Sequence, residues 1–189
     1  MNIVILLGSV RNNREGIKIA KFAQRLAVEQ GWNATLVDAV EWEIPLMHNV
    51  YRMMEDPSPI LVKLHDLLEK ADGFIFIATE YNHSIPPSLK NMIDYFYEEY
   101  FYKPCGIISY TSGPFGGIRA AHHLSDVCSA LKMVVIPTIL PISKVRESFN
   151  DDGTSVDGVY ERRSKKFIAE MNWFLEALSL QRKKGLPTS

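Results

Sequence analysis

Five stretches of the chain are continuously apolar rather than alternating: residues 2–7 (NIVILL), 35–40 (TLVDAV), 73–78 (GFIFIA), 105–110 (CGIISY) and 134–140 (VVIPTIL). Such runs predict strands buried on both faces, as in a parallel sheet. Between them, apolar residues recur every three or four positions. Ile17, Ala20, Ala23 and Ala27 share one face, with Leu26 at its side; Leu61, Leu64, Leu68 and Ala71 share a second. Leu89, Ile93, Phe96 and Tyr100 form a third, Ala120, Leu124, Val127 and Leu131 a fourth, and Phe167, Met171, Phe174 and Leu178 a fifth. That spacing predicts helices. Strands alternating with helices predict an α/β doubly wound domain, in which right-handed crossovers place helices on both sheet faces.

A chain of 189 residues without internal repeat or linker reads as one domain spanning 1–189. Two irregular stretches interrupt the alternation. Residues 41–59 (EWEIPLMHNVYRMMEDPSP) form a long loop rich in Met, Trp, Tyr and Pro, expected to wall a ligand pocket. Residues 147–158 (ESFNDDGTSVDG) read as a turn-rich excursion before the last helix; the DDG lacks the ligand spacing of a calcium loop and reads as a solvated turn.

Composition narrows the partners. Apolar residues make up 47% and charged residues 23%, and the net charge is −1, which gives no footprint for nucleic acid or an anionic membrane surface. No apolar run approaches the roughly 18 residues of a membrane span, and MNIVILLGSV lacks the basic region and cleavage site of a signal peptide. Cys105 and Cys128 are the two cysteines, with no CxxC, and read as reduced thiols in a cytoplasmic protein. No metal site is expected, because His122 and His123 are adjacent and face different sides of a helix.

In open parallel sheets, ligands bind beyond the carboxyl ends of the strands, where strand order reverses. Three loops lie there, and each carries more chemistry than a bare connection needs. After the first strand, Gly8 to Gly16 (GSVRNNREG) offers the Ser9 hydroxyl, the Arg11 and Arg14 guanidinium groups, and the backbone N–H groups of a helix start at Gly16-Ile17. Together these suit a phosphate. The loop is neither a P-loop nor a GxGxxG fingerprint. After the third strand, Glu80-Tyr81-Asn82-His83 offers a flat aromatic wall and turn N–H groups, stiffened by Pro86 and Pro87; Ser84 or Ser88 could be no more than a helix cap. After the fourth, Ser112-Gly113-Pro114-Phe115-Gly116-Gly117 would let backbone approach a ligand.

These residues carry a resemblance. GSVR followed by Arg14 and Gly16, then EYNHSIPPSLKNMIDY, then SGPFGGIRAA, resemble in order the NADPH-dependent FMN reductases of flavodoxin-like fold. The resemblance implies a three-layer α/β/α sandwich with a five-stranded parallel sheet of order 2-1-3-4-5. It implies FMN phosphate near Ser9, Arg11, Arg14, Gly16 and Ile17. The flavin ring would lie against Glu80, Tyr81, Asn82 and His83, with Ser112, Gly113, Gly116 and Gly117 at its other edge. NADPH would be the hydride donor, and a flavin, quinone or similar small molecule the acceptor. Flavin N5 would carry the chemistry, with no acid–base side chain required; His83 reads as structural. Homodimers, often paired further into tetramers, would form through the helix after EYNHSIP, whose aromatic run from Tyr95 to Tyr102 suits either an interface or a core. The chain departs from the pattern at Thr79, where many members have proline, and at Gly16, where some have serine.

Other classes fit less well. A flavodoxin-like electron carrier or redox sensor shares the fold, but such carriers are strongly acidic and this chain is near neutral. A cofactor-free scaffold would not need three ligand-like loops. A small phosphatase would need a Cys-x5-Arg loop, which neither cysteine begins.

Overall fold

The computed structural model of the chain describes residues 1–187. Strands β1 (Asn2–Leu7), β2 (Asn33–Asp38), β3 (Gly73–Thr79) and β4 (Pro104–Tyr110) alternate with helices α1 (Gly16–Glu29), α2 (Pro59–Lys70), α3 (Pro87–Asp94) and α4 (Ile118–Ala130). Two short strands follow, β5 (Val134–Val135) and β6 (Leu140–Ile142), then a one-turn helix α5 (Val145–Ser148) and the long α6 (Val159–Arg182). All strand pairings are parallel and the order is 2-1-3-4-5, as the resemblance implies.

The apolar runs sort by alternation onto two cores. Ile3, Ile5, Leu7, Ile75 and Ile77 face α1 and α6 with Phe22, Phe167 and Met171. Val4, Leu6, Phe74, Phe76 and Ala78 face α2, α3 and α4 with Leu64, Leu89 and Leu124. Each fully buried Ile, Leu or Phe contributes about 1.5–3 kcal/mol, so the sheet is fixed from both sides and its polar chemistry is confined to its ends.

Three expectations need correction. The fifth strand is not one run: β5 and β6 both pair with β4, and after Ile136, whose N–H still donates to the Cys105 carbonyl at 3.0 Å, residues 137–139 leave the ladder between them. Pro137 has no N–H to donate, and the Thr138 N–H turns to the Glu170 carboxylate at 2.8 Å. The third helix stops at Asp94 instead of continuing to Tyr100, which sits in a separate turn at Glu98–Tyr100. The Tyr95 carbonyl there accepts from the Tyr51 N–H of the long loop at 2.9 Å, a partner from outside the helix. Finally, the DDG turn is solvated at Asp151 and Asp152 but not at Gly153, which is buried. Phe149 is buried against Phe22 and bridges to Ser155, although Asp151 remains in water.

At the amino ends of the strands, the Lys103 ammonium donates to the carbonyls of Leu68 and Glu69, both at 2.8 Å, and so caps α2. Lys103 is only 8% exposed, and burial lowers its pKa from 10.5 to about 8. Between those values the unfolded chain holds the proton that the folded chain has released, so this group's contribution to stability rises with pH and is flat below about pH 8. Relative to Lys103→Met, the natural chain should therefore gain up to about 3 kcal/mol between neutral and strongly alkaline pH. Urea unfolding of both chains at pH 7 and pH 10 checks this; an unchanged difference refutes it.

Candidate functional site

The loops after β1, β3 and β4 meet at the carboxyl edge of the sheet around a cavity of about 220 Å³. Ser9, Arg11, Arg14, Glu80, Tyr81 and Ser112, all expected from the sequence, line it. Thr79, Tyr110, Thr111, Glu15 and Arg146 line it too and were not anticipated. None of residues 41–59 does. That loop instead packs on α3, where Met47 N–H donates to Asn91 at 2.9 Å and Tyr95 O–H to the Pro45 carbonyl at 3.0 Å.

The first loop is held by an ion pair. Asp38, the last residue of β2, is completely buried. Both terminal nitrogens of Arg14 donate to its carboxylate, and Nη1 also donates to the Ser9 carbonyl at 2.9 Å. The hydrogen bonds and charge of Asp38 raise the Arg14 pKa above its ordinary value, against the opposing effect of burial. Arg11, by contrast, points across the cavity, its guanidinium 4.1 Å from the centre of the Tyr81 ring. Arg146 of α5 reaches Glu15 at 3.1 Å, and Lys18 reaches the same carboxylate at 3.0 Å. Helix α1 begins without a side-chain cap, which leaves the first N–H groups at Gly16 and Ile17 open to an anion.

Gly16 is a close-packing position. A Cβ there would lie 2.5 Å from the Tyr110 hydroxyl and 2.8 Å from Leu7 Cδ1. Burial pushes the Tyr110 hydroxyl above the ordinary tyrosine range, while hydrogen bonding with Ser9 and Thr79 opposes the shift. The phenol thus stays protonated at neutral pH and fills the space a serine side chain would take.

The second loop is a tight hairpin turn. Tyr81 and Ser84 exchange backbone hydrogen bonds of 2.9 and 3.0 Å, and Asn82 and His83 between them both have positive φ, 50° and 65°. Two consecutive left-handed residues define a type I′ turn. Asn82 and His83 are exposed, while Glu80 and Tyr81 turn inward. The Glu80 carboxylate lies 3.6 Å from Arg119 of α4. In the third loop, Gly113 has open space where a Cβ would be, its nearest neighbour being Thr111 Oγ1 at 3.8 Å. Gly116 and Gly117 lie behind it, where Cβ atoms would meet Pro141 at 2.8 Å and the Tyr110 carbonyl at 2.9 Å.

The arrangement suits a flat, phosphate-bearing molecule. Glu80 Oε2 and the Tyr81 hydroxyl are buried without a hydrogen-bond partner; α1 begins without a side-chain cap, while the Gly113 N–H and carbonyl are already met by Thr111 and Lys144. Unpartnered buried polar groups are costly and call for a partner.

A family model described as NADPH-dependent FMN reductase matches residues 1–147. An NAD(P)H-dependent FMN reductase of Schizosaccharomyces pombe is 29% identical over 157 residues, covering 77% of this chain and 74% of that one. Another, from a Nectria species, is 30% identical over 180 residues, covering 89% and 87%. Among solved structures, a flavoenzyme NAD(P)H:(acceptor) oxidoreductase of Paracoccus denitrificans superposes with a TM-score of 0.72 at 22% identity, covering 94% of this chain and 97% of that one. A flavodoxin of Pseudomonas aeruginosa superposes with a TM-score of 0.59 at 17% identity, covering 93% of this chain and 99% of that one, and these likenesses show the flavodoxin-like fold.

The packing around Gly16 gives a test. Gly16→Ser should destabilise the chain by about 1–3 kcal/mol through overpacking, and Tyr110→Phe in the same chain should restore at least half of the loss. Equal stability of Gly16→Ser and the natural chain in urea unfolding would show that the Tyr110 hydroxyl does not occupy that space.

Proposed function

Because this chain belongs to the NADPH-dependent FMN reductase family, we propose that it is an NADPH-driven flavin oxidoreductase whose FMN site is the cavity between the three loops. The observation that carries the site is the convergence of Ser9, Arg11, Glu80, Tyr81 and Ser112 from separate loops on one cavity. When bound, FMN would supply the redox chemistry between NADPH and an acceptor. The chain's own residues bind and orient. Ser9, Arg11 and the Gly16 and Ile17 N–H groups would hold the phosphate, in a loop shaped by Arg14. The Tyr81 side chain and the backbone of Glu80, Asn82 and His83 would bed the ring, with the Arg119 pair fixing Glu80. Ser112 and Gly113 would flank its far edge, positioned by the turn at Gly116 and Gly117. No side chain is assigned as general acid or base.

The acceptor is read as a flavin or a quinone, the class named in curated relatives called quinone reductases. The reading includes one FMN-binding domain, a cytoplasmic setting that keeps the buried thiols of Cys105 and Cys128 reduced, and self-association through α3. Among the described residues, no helix is long and apolar enough to cross a membrane. In the aromatic run, Tyr95, Phe96 and Tyr100 belong to the chain's own core. Tyr97, 40% exposed, and Met53, 66% exposed, remain for a partner. They lie on or near a groove of about 400 Å³ lined by Met47, Val50, Tyr97 and Leu131 and rimmed by both charge signs, which suits a second copy of the chain.

Flavin-stripped protein should quench FMN fluorescence saturably, and anaerobic NADPH should then bleach the flavin colour. Quenching without bleaching would instead indicate an electron carrier, and absence of quenching would remove the flavin reading. Sedimentation velocity at micromolar concentration should return a dimer or tetramer; a monomer would leave the α3 groove without its proposed occupant.

A further inference from the structure

We propose that Asp38 is a positioning residue for phosphate recognition, acting through Arg14, and that Arg14 shapes the loop more than it contacts the phosphate. The inference rests on the reading of the first loop as the FMN phosphate site. Asp38 ends β2, whereas the loop it shapes follows β1, so the two meet only because β1 and β2 are neighbours in the sheet. Both carboxylate oxygens are engaged: Oδ1 accepts from Arg14 Nη1 and from the Val40 N–H at 3.0 Å, and Oδ2 accepts from Arg14 Nη2 at 2.5 Å. Arg14 in turn donates to the Ser9 carbonyl at 2.9 Å. Three of the five guanidinium N–H groups are committed by these bonds. Most of the charge of Arg14 is spent on Asp38, and the pair presents little net field to a phosphate.

The geometry instead uses the rigid fork of arginine to fix where the Ser9 backbone sits. A carboxylate and a guanidinium joined by two parallel bonds have one mutual orientation. With Asp38 anchored at the end of the edge strand β2, beside β1, the Ser9 carbonyl is held, and the loop from Val10 to Asn13 must close between Ser9 and Arg14. That closure delivers Arg11 and Glu15, the residue before α1, to the same cavity. A direct phosphate ligand and a brace make opposite predictions when Asp38 loses its charge. A ligand would be released to the phosphate and bind it better; a brace would lose its anchor and bind it worse.

The test compares FMN with riboflavin, which lacks the phosphate, by fluorescence quenching on flavin-free protein. The natural chain should prefer FMN by about tenfold or more. In Asp38→Asn that preference should fall to about threefold or less, through loss of FMN affinity, with riboflavin affinity little changed. Arg14→Lys, which keeps the charge but not the fork, should do the same. A purely structural role would weaken both ligands together and leave the ratio intact, and that result overturns the inference, as does a ratio that rises in Asp38→Asn. If near-UV circular dichroism shows Asp38→Asn unfolded, Arg14→Lys decides: a retained FMN preference overturns the inference. A natural chain that binds FMN and riboflavin equally would remove the phosphate-site reading itself.

Discussion

Asp38 is a carboxylate with no contact with water, and the corner of the molecule around it is arranged to meet that charge. Removing one partner of such a buried pair costs about 3–5 kcal/mol, because the other charge is left unmet. The first loop therefore has little freedom. Arg14 must reach inward to Asp38, and in doing so it takes the Ser9 carbonyl with it. From the other side, the Ser88 hydroxyl donates to the Gly8 carbonyl, tying the start of α3 to the same loop. Glu15 then holds Lys18 and Arg146, which joins the loop to α5. The loop's shape is thus set by ties to three other parts of the chain, before any ligand is considered.

The polar corner after β3 follows a different logic. Its shape comes from backbone conformation, not from an ion pair. A left-handed conformation costs a non-glycine residue about 1–2 kcal/mol, and Asn82 and His83 both adopt it. Asparagine, aspartate and histidine are the non-glycine residues found in that region most often. Strain of this kind survives only where surrounding structure over-determines it. Here the paired backbone bonds between Tyr81 and Ser84 do so, assisted by His123 Nδ1 at 3.2 Å from the Ser84 hydroxyl. What the turn achieves is visible on its inner side. It rotates Tyr81 and Glu80 toward the first loop while Asn82 and His83 stay in water.

The fold was legible because burial on both sheet faces leaves a simple trace, continuous apolar runs separated by three-to-four-residue periodicity. The three site loops were legible because their residues are contiguous: serine, arginine and glycine near one strand end are visible in any single reading. The ties between loops were not. Nothing in the sequence near Arg14 points to Asp38, which lies twenty-four positions away at the end of β2. Its one signal is a carboxylate inside a mostly apolar run, TLVDAV, of which the structure buries Val37 and Asp38 itself, where an unpaired charge would be costly. Tyr110 was hidden for the same reason, as the last residue of an apolar strand whose hydroxyl turns out to floor the cavity. The break in the fifth strand had a visible signal in Pro137, since proline removes a ladder donor. The end of α3 had none, because its periodicity continues in the buried Phe96 and Tyr100 after the backbone has left the helix.

Charge at the cavity completes the argument. Arg14 is matched by Asp38, Arg146 by Glu15, and Arg119 by Glu80. Among the described residues that line the cavity, Arg11 is the cation without an ion pair, and its guanidinium rests on the face of Tyr81. An exposed cation–π contact is worth about 0.5–1 kcal/mol, far less than a charge-assisted bond to a phosphate can return. The paired cations are fixed and give the loops their shape. Arg11 is held loosely, on the same ring that is proposed to bed the flavin. On the proposed reading, a phosphate at the cavity would compete with the Tyr81 face for Arg11, and the charge-assisted bond is the stronger of the two contacts.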